Sequence, residues 1–203
     1  MMLVKICGLK RVEDAELAVS LGASLVSAVR TESSPRRASV EEARAIFSAV
    51  GSRAIKVLVF RDSPIEDVVR DAEESGAEWV QLYDATEPEL ERVESGGFRL
   101  LRVYRIQEDA HTLPGFACEP EEDRPALLDV GGGGSGLRFD WGLLGRKAPP
   151  FTFIAGGVRP DNVEELLSHR PYGIDLSSGV ERAPGVKDEE KLSRLFEAIG
   201  RAQ

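Results

Sequence analysis

Eight short runs rich in valine, leucine and isoleucine recur along this chain, and most are followed by a charged segment with helical spacing. The runs cover residues 3–7, 24–29, 54–60, 79–82, 99–104, 126–129, 151–155 and Gly173–Leu176. Helical patterns follow at Val12–Leu21, Val40–Val50, 64–75, 160–167 and 189–199. Ser39 with Glu42 opens the second as a capping box, and Pro64 occupies the first turn of the third. The stretch 105–125 is charged and broken by proline, and 139–144 is very short, so a fifth and a sixth helix are expected to be weak or shortened. Strands alternating with helices imply βαβ units and a parallel sheet. Eight such units within 203 residues suit a single (β/α)8 TIM barrel domain spanning residues 1–203, at the lean end of that fold's size. A doubly wound open sheet is the rival. It has fewer strands and a glycine-rich first turn, whereas Gly8 is followed here by Leu9-Lys10-Arg11.

Composition narrows the function classes. The net charge of −9 disfavours nucleic acid and acidic membrane surfaces as partners, since both require a basic face. It leaves room for a small anion where donors are concentrated. Cys7 and Cys118, far apart, make neither a disulfide framework nor a zinc spacing, and His111 and His169 are too few for a typical metal site. No apolar run has the length of a signal or a membrane span, so a cytoplasmic protein with reduced thiols is expected. An acidic outer helix set is compatible with a monomer or a homodimer.

In a closed barrel the chemistry gathers at the carboxyl ends of the strands. Cys7 ends the first run, and strand alternation puts Lys5 on the same face, so a cation is expected one layer below the thiol. A nearby cation favours the charged form of a thiol. Asp129 ends the sixth run, where partial desolvation would raise its pKa toward the range of a general acid. Taken singly, Cys7 reads as a small core residue and Asp129 as a turn former. Late in the chain, Gly156-Gly157 follow the seventh run and Ser177-Ser178-Gly179 the eighth. The loops after strands seven and eight are the usual phosphate site of such barrels, and glycine lets backbone N–H groups approach the anion closely. Ser34-Pro35-Arg36-Arg37, after the second run, supplies an arginine fork suited to carboxylate or phosphate. The glycine run from 131 to 136 reads as a mobile loop at the same end.

These stretches together resemble the phosphoribosylanthranilate isomerases of tryptophan biosynthesis. The resemblance is carried by Val4-Lys5-Ile6-Cys7-Gly8-Leu9, Ser34-Pro35-Arg36, Val80-Gln81-Leu82, Leu127-Leu128-Asp129 and Ala155-Gly156-Gly157. It is carried further by Pro160-Asp161-Asn162-Val163 and by the long run from Arg170 to Glu181 that continues into 184–188. It implies an Amadori rearrangement of N-(5-phosphoribosyl)anthranilate with neither a metal nor an organic cofactor. By the same resemblance Cys7 is the general base and Asp129 the general acid. Arg36 would hold the anthranilate carboxylate, and Gly156, Gly157, Ser178 and Gly179 the phosphate. The alternatives are a related phosphosugar aminoaldose–ketose isomerase with altered substrate, and a phosphosugar-binding barrel without catalysis. The chain departs from the family pattern at Tyr83, where histidine is usual, and at Ser27-Ala28-Val29-Arg30, which lacks two aromatics and gains a charge. The glycine loop also lacks the usual threonine and lysine. All three departures lie at or near the anthranilate end.

Overall fold

The structure is a computed structural model that describes residues 2–131 and 136–202. Eight parallel strands close into a barrel in chain order. They are β1 (Leu3–Ile6), β2 (Leu25–Val29), β3 (Ile55–Arg61), β4 (Trp79–Tyr83), β5 (Arg99–Ile106), β6 (Ala126–Val130), β7 (Thr152–Ile154) and β8 (Gly173–Leu176). Closure is made where β1 pairs with β8, with Lys5 opposite Asp175. The helices are α1 (Val12–Leu21), α2 (Val40–Val50), α3 (Ile65–Ser75), α4 (Glu87–Ser95), α5 (Val163–Leu167) and α6 (Glu189–Ala202). A small antiparallel hairpin, β9 (Glu181–Ala183) with β10 (Val186–Lys187), lies between β8 and α6.

Strand alternation sorts the core into two sets. Odd-numbered residues such as Leu25, Val57, Val59, Trp79, Leu101, Leu127 and Phe153 fill the barrel interior. Even-numbered ones such as Val26, Leu58, Phe60, Val80 and Leu128 face the helices, against Ala15, Phe47, Val68 and Leu192. Lys5, Ser27, Gln81, Asp129 and Asp175 interrupt the interior set with buried polar groups. Charge inside a barrel is costly unless paired, so the interior is built around a site. Among the described residues no helix is long and apolar enough to cross a membrane.

The capping box at α2 forms as its sequence predicts: the Ser39 amide donates to Glu42 Oε2 at 2.6 Å and the Glu42 amide to Ser39 Oγ at 3.1 Å. Other boundaries differ from expectation. Helix α4 is an addition, opened by a second capping box between Thr86 and Glu89 with Pro88 in its first turn, and its buried face is only Leu90 and Val93. That face is too narrow to register as an apolar period amid four glutamates. Helix α5 starts at Val163 rather than 160, because Asn162 Oδ1 accepts from the Arg159 amide at 2.7 Å and closes a turn first. Strand β7 starts at Thr152 because Phe151 takes a positive φ of 47°. No helix forms between β5 and β6 among the described residues, and only the 3-10 turn Trp141–Leu144 precedes β7. Of the expected mobile loop at 131–136, residues 132–135 lie outside the described residues.

Candidate active site

The ends of the barrel strands surround one pocket, and all seven residues singled out from the sequence line it: Cys7, Arg36, Asp129, Gly156, Gly157, Ser178 and Gly179. Cys7 stands one residue past β1 and continues the ladder, its amide donating to the Leu176 carbonyl at 2.8 Å. Asp129 is the penultimate residue of β6 and is buried. Lys5 lies fully buried beneath Cys7, as strand alternation requires, but it is not a bare cation: Nζ is 3.0 Å from Asp175 Oδ1. Burial draws the Lys5 ammonium down, yet Asp175 and then Cys7 more than reverse this and hold it above its ordinary value. The charge under the site is therefore kept.

Burial pushes the Asp129 carboxyl up to about 6, opposed by a hydrogen bond from Tyr83 and assisted by the Asp175 charge. The Tyr83 hydroxyl donates to Asp129 Oδ2 at 2.7 Å. Arg61 lies over the Tyr83 ring, 4.6 Å from its centroid. A carboxyl of this kind carries a proton near neutrality about a hundredfold more often than an exposed aspartate would.

Arg36 is held before any ligand arrives. Its Nε and Nη2 donate to the Glu181 carboxylate at 2.8–3.1 Å. Glu181 also accepts from Lys187 Nζ at 2.9 Å and from the Gly185 amide at 3.1 Å. Burial alone would push Glu181 up, but Arg36 and Lys187 overcome that and hold it below its ordinary value. With Glu181 on the Nε–Nη2 edge, the Nη1–Nη2 edge is the one that can meet a substrate carboxylate. Lys187 Nζ also donates to the Cys7 carbonyl at 2.6 Å, tying the hairpin to the first strand.

The two late turns meet backbone to backbone. A Cβ on Gly179 would fall 2.0 Å from the Val158 carbonyl oxygen, so glycine alone allows this approach. Gly157 sits at a φ of +63°, where a side chain would also crowd Arg138. Beside them Ser177 Oγ is buried and has no hydrogen-bond partner among the described residues. A close-packed pair of turns with an unspent hydroxyl is suited to an anion that brings its own acceptors.

Tyr83, Asp175, Glu181 and Lys187 were not singled out as site residues from sequence. Asp175 could have been found, since it shares inward parity with Gly173 and Ser177 and faces Lys5 across the closure. Glu181 and Lys187 carry no local signal, because their partners lie far away in the chain. Arg30 does not enter the pocket. It is even-numbered, points outward, and pairs with Asp71 of α3 at 2.9 Å and with the Ala38 carbonyl at 2.6 Å.

Comparison with known proteins places the chain in a family. The family profile of N-(5'-phosphoribosyl)anthranilate isomerase matches residues 4–198. A protein of that name from Rubrobacter xylanophilus is 39% identical, over 96% of this chain and 97% of its own length. The crystal structure of phosphoribosyl anthranilate isomerase from Thermus thermophilus superposes with a TM-score of 0.86 at 37% identity, over 100% of both chains. A further isomerase structure, in complex with reduced 1-(o-carboxyphenylamino)-1-deoxyribulose 5-phosphate, superposes with a TM-score of 0.78 at 28% identity, over 98% of this chain and 100% of its own. A buried acid, a thiol and a glycine cradle in one barrel mouth thus coincide with a match along nearly the whole sequence, and the chain belongs to the N-(5'-phosphoribosyl)anthranilate isomerase family.

Proposed function

We propose that this chain catalyses the Amadori rearrangement of N-(5-phosphoribosyl)anthranilate to 1-(2-carboxyphenylamino)-1-deoxyribulose 5-phosphate, with Asp129 as general acid and Cys7 as general base. The observation that carries the assignment is the pairing, in one pocket, of a thiol with a buried carboxyl pushed up to about 6. Asp129 gives its proton to the furanose ring oxygen. The C1'–O4' bond breaks, and the anthranilate nitrogen lone pair forms the C1'=N iminium. The iminium acidifies the neighbouring carbon. Cys7, as thiolate, takes the C2' proton, and the C–H electrons become the C1'=C2' bond of an enolamine. Protonation at C1' with loss of the C2' hydroxyl proton gives the ketone, so substrate and product are isomers and the protons balance. Each positioned transfer contributes roughly 10²–10⁴-fold.

The remaining groups orient the substrate. Gly156, Gly157, Ser178 and Gly179 receive the phosphate, and Arg36, aimed by Glu181, receives the anthranilate carboxylate. The relative solved with a reduced, phosphorylated carboxyphenylamino sugar supports a pocket of this polarity. The test is loss of anthranilate fluorescence on mixing with freshly made phosphoribosylanthranilate. Wild type should turn over, and Cys7→Ser and Asp129→Asn should each lose at least about a hundredfold in kcat. No turnover by wild type would sink the activity, and an Asp129→Asn or Cys7→Ser variant as fast as wild type would sink the roles.

A further inference from the structure

Tyr83 closes a short directional chain of hydrogen bonds inside the barrel. Gln81 and Tyr83 both belong to β4 and both face inward. Gln81 Nε2 donates to the Tyr83 hydroxyl at 3.2 Å, and that hydroxyl donates to Asp129 Oδ2 at 2.7 Å. A phenol has one hydrogen. With Gln81 on its acceptor side, that hydrogen is directed at the carboxylate. The ring is fixed from the other side by Arg61 on β3, and Arg105 on β5 lies 6.0 Å from its centroid. We propose that Tyr83 is a positioning residue for the general acid: by occupying Oδ2 it fixes the plane of the Asp129 carboxyl and assigns the transferable proton to Oδ1. The proposal rests on the reading of Asp129 as the acid.

The electrostatic surroundings support a lasting role. Burial, and then the Asp129 charge, push the Tyr83 phenol well above its ordinary value, so the hydrogen stays in place throughout the working range. The groups acting on Asp129 are Tyr83 from β4, Asp175 from β8, Lys5 from β1 and the backbone of Val130. Cys7 and Asp175 act on Tyr83 in turn. Of these, Tyr83 is the largest influence favouring the charged carboxylate. Its hydroxyl therefore directs the proton and tempers the rise that burial imposes on the acid.

The experiment titrates Asp129 directly. Aspartate labelled with ¹³C at the carboxyl is followed by NMR in wild type, in Tyr83→Phe and in a variant with 3-fluorotyrosine at position 83. The resonance is assigned by its absence in Asp129→Asn. In Tyr83→Phe the midpoint should rise by about one unit, the loss of one hydrogen bond to a charged group. There kcat should fall about tenfold as the acid loses its orientation, with KM within about threefold. Fluorotyrosine is the stronger donor and should lower the midpoint. An unmoved midpoint or an unchanged kcat in Tyr83→Phe overturns the proposal. If that variant does not fold, the fluorotyrosine arm decides: a lowered midpoint sustains the proposal and an unmoved one overturns it. Failure of the underlying acid assignment looks different, since Asp129→Asn would then turn over substrate at the wild-type rate whatever Tyr83 does.

Discussion

Asp129 should cost the fold stability at neutral pH, and replacing it with asparagine should reveal how much. Its carboxyl rises from 3.8 to about 6 on folding. Between those values the folded chain holds a proton that the unfolded chain has released. Stability tied to this group is therefore fully present below 3.8 and is lost as pH rises through about 6. Two units at about 1.4 kcal/mol each give about 3 kcal/mol in total, of which about 2 kcal/mol falls between about pH 4.5 and 7.5. Asparagine does not titrate. The wild-type minus Asp129→Asn difference in unfolding free energy should thus fall by about 2 kcal/mol across that window, against wild type. Any constant offset from the changed contact with Tyr83 cancels, as do the titrating groups that do not act on position 129. Urea unfolding at several pH values measures the difference. A flat difference, or one that grows with pH, would refute the claim that burial dominates at Asp129 and would remove the basis for its acid strength.

Three further perturbations probe the rest of the site. Gly179→Ala places a Cβ 2.0 Å from the Val158 carbonyl; KM should rise at least about tenfold and inhibition by inorganic phosphate should weaken in parallel, and unchanged phosphate inhibition would contradict the cradle. Glu181→Gln loosens Arg36, so KM should rise about tenfold with kcat within about threefold. Because the Glu181 pKa is lowered on folding, its pairing stabilises above the unfolded value and is lost as pH falls through the folded one. The stability gap between wild type and Glu181→Gln should therefore close in acid, opposite in sign to the Asp129 case. Arg30→Ala breaks a mostly buried pair with Asp71 and should cost about 2 kcal/mol in urea unfolding with KM unchanged; a raised KM would place Arg30 in the pocket after all.

Much of this was legible because parallel strands impose a period of two. On the first strand it puts Lys5 on the face of Cys7, but the outward turn of Arg30 was not legible, because the parity of one strand does not fix that of its neighbour. The double glycine turns were legible through their order in the chain, since strands seven and eight are neighbours in a closed barrel. Helix α4 was not, because its signal lies in its cap rather than in apolar spacing. The bonds from Tyr83 to Asp129 and from Arg36 to Glu181 were not either. Each joins residues far apart in the chain, 46 and 145 positions respectively, and single-residue chemistry does not reveal which partner the fold will supply. Tyr83 looked like a disturbance of the anthranilate end; in the folded chain it is bonded to Asp129.

The long-range ties that join β1 and α1 to β8 and the hairpin have a consequence for how the protein is made. Lys5 meets Asp175 across 170 positions, the Cys7 carbonyl meets Lys187 across 180, and Asp14 accepts from the Lys187 amide across 173. Each of these partners emerges from the ribosome at least 170 positions after the residue it meets. Cys7 thus leaves the ribosome 180 positions ahead of the Lys187 ammonium that binds its carbonyl. A chain cut just before Lys187 would keep β1 to β8 and lose the ammonium held between the Cys7 carbonyl and Glu181.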